Sequence, residues 1–126
     1  MRLLQVGIHA DDLDRAEAFY HRLLGEPPIA RFEPPGLLFF DLDGTRLLLD
    51  VGAPASLLYL QVQDLDATIE GLRADGVHVE HEPHFIYQHE DDTLGPSGMQ
   101  EWHAFIRDSE GNLVGLVGNL NPATDQ

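Results

Sequence analysis

The chain has 126 residues, 43% hydrophobic and 23% charged, which suits one folded domain and excludes a disordered chain or two independent domains. Acidic residues number 22 against 7 basic ones, a net charge of −15: the wrong sign for nucleic acid or an anionic membrane surface, and the right one for drawing in a cationic small molecule. Every basic residue is arginine and cysteine is absent, so lysine Schiff bases, thiol nucleophiles, thiolate metal sites and disulfides are excluded, and seven histidines remain as the main candidate ligands.

From the N-terminus, no apolar stretch is long enough for export or membrane spanning, so a cytoplasmic location is expected. Residues 5–10 read as a strand. Asp12-Leu13-Asp14 then places a capping Asp and a second acid in the first turn of a helix, whose apolar stripe is Leu13, Ala16, Phe19, Tyr20 and Leu23. Gly25 ends it. Residues 37–40 and 46–51 form a hairpin around Asp41-Leu42-Asp43-Gly44.

The order then repeats. Residues 57–62 are a strand, Asp64-Leu65-Asp66 caps a helix with the stripe Leu65, Ile69 and Leu72, and Gly76 ends it. Residues 102–107 and 113–117 flank the turn Asp108-Ser109-Glu110-Gly111. The second copy carries about 16 additional residues, expected as a loop over residues 81–100. Within it residues 84–87 form a short extra strand, and His89 sits in a solvated acidic stretch with Glu90, Asp91 and Asp92. Module one is thus about residues 1–53 and module two about residues 54–120.

Two such copies, with Asp12-Leu13-Asp14-Arg15-Ala16, Phe19-Tyr20 and Leu24-Gly25 at the first helix and Asp108-Ser109-Glu110-Gly111-Asn112 at the last hairpin, resemble the vicinal oxygen chelate superfamily. That group holds the glyoxalase, bleomycin-resistance and extradiol dioxygenase proteins. The resemblance spans roughly residues 1–118. It implies an α+β fold of two tandem βαβββ modules, a curled mixed sheet around one cavity with helices outside, and a homodimer. It also implies metal-ligand positions at Gln5, Leu48, Leu57 and Gly115. Only Gln5 carries a donor, so no metal or other cofactor is expected there, and ordinary glyoxalase I or extradiol dioxygenase chemistry is disfavoured.

Strand alternation turns Gln5, Gly7 and His9 towards the cavity, with Leu57, Tyr59 and Gln61 in the second copy. Gly115 shares its face with Glu101, His103 and Phe105, while Trp102 points away to pack on a helix or a partner. Glu101 and His103 suit general base and general acid roles. Two alternatives stand beside that: a polar lining without chemistry, and a relocated divalent metal on His9, Glu101 and His103. Gln5, His9, Leu57, Tyr59, Gln61, His84 and Phe105 are the expected ligand-binding residues. His21, His78 and His81 read as residues of charged faces. The expected function is a small-molecule pocket protein that binds or isomerises a small organic compound; the alternatives are an antibiotic-sequestering protein without catalysis and an enzyme with the relocated metal.

Overall fold

The structure is a computed structural model that describes residues 3–122. Ten elements follow in chain order: β1 (Gln5–His9), α1 (Leu13–Leu24), β2 (Ala30–Phe32), β3 (Leu37–Leu42), β4 (Thr45–Asp50), β5 (Leu58–Gln61), α2 (Leu65–Ala74), β6 (Val79–Gln88), β7 (Gln100–Arg107) and β8 (Leu113–Leu120). They make two open, mixed four-stranded sheets ordered β1-β4-β3-β2 and β5-β8-β7-β6. In each, the first strand runs parallel to the last and the remaining pairs are antiparallel. This is the tandem βαβββ pattern.

The first compact unit comprises residues 3–57 together with Asp108–Asn112. Its helix starts where Asp12 accepts a hydrogen bond from the Arg15 amide at 3.0 Å, and stops at Gly25 in the left-handed region, as a capping aspartate and a terminal glycine dictate. Leu13, Ala16 and Tyr20 are buried, as are Ile8, Leu38, Phe40, Leu47 and Leu49 from alternate strand positions. Gln5, Gly7 and His9 pair with Arg46, Leu48 and Asp50 at the intervening positions of the same parallel ladder and so share the other face of the sheet. Asp43 and Gly44, both at positive φ, close the β3–β4 hairpin with the backbone twist that two-residue turns need.

The segment Asp108–Asn112 completes this unit. The Asp108 carboxylate, 6% exposed, accepts from the Tyr20 hydroxyl at 2.7 Å, the Asn112 side chain at 2.8 Å, and the amides of Glu110 and Asn112 at 2.9 and 2.7 Å. Asn112 also donates to the His9 carbonyl. Burial, first, and the charge of Asp108 push the Tyr20 phenol far above its ordinary range. Glu110, its side chain fully covered, takes a bidentate hold on Arg15 and accepts from the Asp12 amide. Burial alone would raise its pKa; the donors Arg15, Asp12 and Ser109 outweigh it and lower the value to about 2.

The second compact unit is Leu58–Arg107 with residues 113–122. Asp64 caps α2 through the Ala67 amide, also at 3.0 Å. Leu65, Ile69 and Leu72 are buried, as are Leu58, Ala104, Ile106, Val114 and Leu116. Gly118 lets Leu65 close on β8, since a Cβ there would stand 2.7 Å from the Leu65 Cβ.

Two sequence expectations change here. Residues 84–87 are not a separate strand but the end of the ten-residue β6, so the loop proper is residues 89–99. Pro83 and the charged residues around it conceal that strand. Because β6 is the outer strand of its sheet, the missing proline N–H costs no interior ladder bond. His89, expected in solvent, is 3% exposed.

Candidate functional site

The face of the second sheet that α2 leaves free carries the candidate site. Its register aligns Tyr59, Gly115, Phe105 and His81 in one row, Gln61, Val117, His103 and His84 in the next, and Asn119, Glu101 and Tyr87 in a third. On β6 three residues span what two span on β7, through shifts between His81 and His84 and between Phe85 and Tyr87. Such bulges keep every third residue of β6 on one face. His81, His84 and Tyr87 therefore share it.

Gly115 makes room for the aromatic part. A Cβ there would meet Tyr59 at 2.7 Å and Phe105 at 3.1 Å, so the bare backbone lets both rings converge over β8. Tyr59 lies 5.9 Å from Phe105 and 5.4 Å from His103 by ring centroids. His84 stacks on Phe105 at 6.3 Å and 28°, and His81 meets its edge at 5.8 Å. His81 is exposed, as the sequence reading has it, and the β6 shift also turns its ring to Phe105. His84 donates from Nδ1 to the Glu82 carbonyl.

The polar part is a carboxylate between two imidazoles. Glu101 Oε2 is 2.6 Å from His103 Nε2, and its Oε1 is 3.1 Å from His89 Nε2. Side-chain exposures are 19% for Glu101, 15% for His103 and 2% for His89. An ionised carboxylate only accepts, so each Nε2 carries the hydrogen. Neutral His103 then keeps its lone pair on Nδ1. The structure brings Glu101, His103, Tyr59, Phe105 and Gln61 to one sheet face, as strand alternation anticipates, and the β6 shifts add His84 to it. His89 was missed: its burial comes from loop closure, and nothing in a stretch of polar neighbours signals it.

Beside this row lies an open hollow of about 420 Å³ lined by Gln61, Val62, Gln63 and Asn119. Asn119 stands directly opposite Glu101, and its Oδ1 is the buried side-chain atom without a hydrogen-bond partner among the described residues. Trp102 lies away from this face, against Phe85 at 5.9 Å and beside Leu65 in a cavity of about 280 Å³ that shares Gln63 and Asn119 with the hollow.

The remaining expected residues lie in the first unit. His9 donates from Nδ1 to the Ala53 carbonyl and from Nε2 to Asp11 at 2.7 Å. The Asp11 hydrogen bond, above all, raises its pKa. With both ring nitrogens within hydrogen-bond distance of oxygen acceptors, neither is turned to a free site where it could meet a metal. Gln5 Oε1 accepts from Arg46 Nε at 2.9 Å, with the guanidinium 5.7 Å from the Phe39 ring. Leu57 precedes β5 and is 45% exposed.

The four positions at which the family resemblance puts metal ligands do not fit an ion. Leu48, Leu57 and Gly115 offer no side-chain donor, and the one amide oxygen, on Gln5, already serves a cation. Among the described residues no three of His, Asp and Glu are grouped to hold a metal, and no helix is long and apolar enough to cross a membrane.

Two βαβββ units with a helix on one face of each mixed sheet define the class of fold. The chain belongs to the Glyoxalase/Bleomycin resistance protein/Dioxygenase superfamily, whose model matches residues 2–116. Among solved structures it is similar to a lactoylglutathione lyase from Agrobacterium tumefaciens, at 24% identity and TM-score 0.66 over 93% of this chain and 92% of that one. A glyoxalase/bleomycin resistance protein/dioxygenase from Alicyclobacillus acidocaldarius matches at 18% identity and TM-score 0.66, over 99% and 96%. The trypanothione-dependent glyoxalase I of Leishmania major matches at 21% and 0.63, over 94% and 86%. No curated protein matches.

Proposed function

We propose that this chain binds a small organic compound on the face formed by Tyr59, Phe105, His84 and Gln61, and moves a proton on it. His103 is the base and Glu101 its positioning group. The observation that carries this reading is the Glu101 carboxylate 2.6 Å from His103 Nε2, which leaves the basic electron pair on Nδ1 in a partly buried aromatic setting. In the step, Nδ1 takes a proton from a carbon beside a carbonyl and the C–H electron pair moves into the enolate. The imidazolium stays paired with Glu101. Returning the proton to the same carbon or its neighbour completes an isomerisation without change of oxidation state. The unpartnered Asn119 Oδ1 supports a ligand with an N–H or O–H donor, because a buried acceptor left unpaired costs about 1–3 kcal/mol. The role of general base, which the sequence alone suggests for Glu101, passes in this reading to His103.

A second reading, sequestration of a cationic compound without catalysis, draws on the net charge of −15 and on aromatic faces that suit a cation. Under either, the protein works in the cytoplasm as a homodimer, which light scattering tests. The deciding experiment incubates the protein in D₂O with a panel of α-hydroxy ketones, α-keto acids and small aromatic amines, following C–H exchange and binding by ¹H NMR. Exchange is expected in the wild type, with a loss of about 10²-fold or more in His103→Ala. Saturable binding of an amine without exchange supports sequestration. Neither binding nor exchange overturns both readings.

A further inference from the structure

We propose that His89 is a positioning residue for the Glu101–His103 pair, held for that purpose by the loop of residues 89–99; the role rests on the acid–base reading of the pair. The loop is built around the imidazole. Its backbone closes on itself there, with the His89 amide donating to the Met99 carbonyl at 2.9 Å and the Gly98 amide to the His89 carbonyl at 2.8 Å. Tyr87 covers one side of the ring at 4.5 Å between centroids. Gly95 presses on it as well: a Cβ at that position would stand 2.6 Å from His89 Cε1 and 2.8 Å from Nε2. Gln88 adds a hydrogen bond to the Gly98 carbonyl.

Packing alone would explain an apolar ring in this slot. It does not explain a nitrogen that reaches out of the loop to the carboxylate of β7. With Oε1 committed to His89 and Oε2 to His103, the carboxylate is pinned at both ends. Rotation about its last bond would break two hydrogen bonds rather than one, in a site where buried polar groups find few replacements. The consequence falls on His103. A carboxylate that cannot turn away keeps the hydrogen on Nε2 and the electron pair on Nδ1, the tautomer that the proton transfer requires. Both Glu101 oxygens being occupied, the carboxylate itself is left out of the reacting pair.

The test is long-range ¹H–¹⁵N NMR of the histidine rings in the full chain at pH 8, where tautomers are read without any ligand. In the wild type, His89 and His103 are each expected as the single Nε2–H tautomer, with well-separated ring nitrogen resonances. His89→Gln, which retains an N–H, keeps the His103 pattern; His89→Phe, which fills the slot without a donor, makes the two His103 resonances converge as tautomers mix. An unchanged His103 pattern in a folded His89→Phe variant overturns the proposal. Should that variant not fold, an Nδ1–H tautomer at His89 or His103 in the wild type overturns it equally. Absence of C–H exchange in D₂O bears on the acid–base reading alone and leaves these spectra interpretable.

Discussion

Glu110 and His9 show how single acidic and basic side chains set the pH range of the fold. Glu110 has a pKa lowered to about 2 against 4.5 in an unfolded chain. A depressed carboxyl stabilises above its unfolded pKa, and the gain disappears as pH falls from about 4.5 to about 2; 2.5 units correspond to on the order of 3 kcal/mol. Denaturant unfolding followed from pH 6 to pH 2 is expected to show that loss, and Glu110→Gln to flatten it. His9 has the opposite sign. Its raised pKa adds stability that is complete below 6.5 and disappears as pH rises through the folded value. Both were readable only in part. The turn containing Glu110 and the strand bearing His9 stand in the sequence, yet the partner Arg15 lies 95 residues from Glu110. Local patterns do not carry such a pairing.

Among the elements, the two capped helices were legible because a cap is a local device: Asp12 and Asp64 each bond the amide three residues on, and the spacing alone announces it. The common face of Glu101, His103 and Phe105 was legible for a similar reason, since a regular strand alternates. Strand β6 was not. Its shifts replace alternation by a three-residue step, and a polar sequence interrupted by Pro83 looks like a loop. The burial of His89 was hidden for the same reason as Glu110: closure brings together residues that composition cannot connect. Strand β8 offers a direct trial of the site. Gly115→Ala places a methyl carbon within 3.1 Å of both Tyr59 and Phe105, and each ring must move. The expected cost is about 1–3 kcal/mol in stability, with at least tenfold weaker binding of whichever compound the NMR panel identifies. Unchanged binding would separate the aromatic pair from the site.

Across the whole molecule the excess of acid is the dominant physical fact. A net charge of −15 on 126 residues opposes compaction through self-repulsion, and salt screens it over a Debye length that shortens from about 30 Å at 0.01 M to about 8 Å at 0.15 M. The melting temperature at pH 7 is therefore expected to rise by a few degrees over that range of sodium chloride, as differential scanning calorimetry would register. Attraction of a cationic ligand would weaken over the same range, so a sequestering protein would bind less tightly as it became more stable. A flat melting temperature would mean that the ion pairs of Arg15, Arg31 and Arg73 already balance the repulsion.

The turn Asp108–Asn112 completes the first unit although it lies near the other end of the chain. During synthesis, residues 3–57 emerge with the Tyr20 hydroxyl and the Arg15 guanidinium still lacking Asp108 and Glu110, and those bonds wait until most of the 126 residues have been made. The repeat invites a division at the module boundary. The turn opposes it: a first module expressed alone would lack Asp108 and Glu110, the partners that Tyr20 and Arg15 hold in the whole chain.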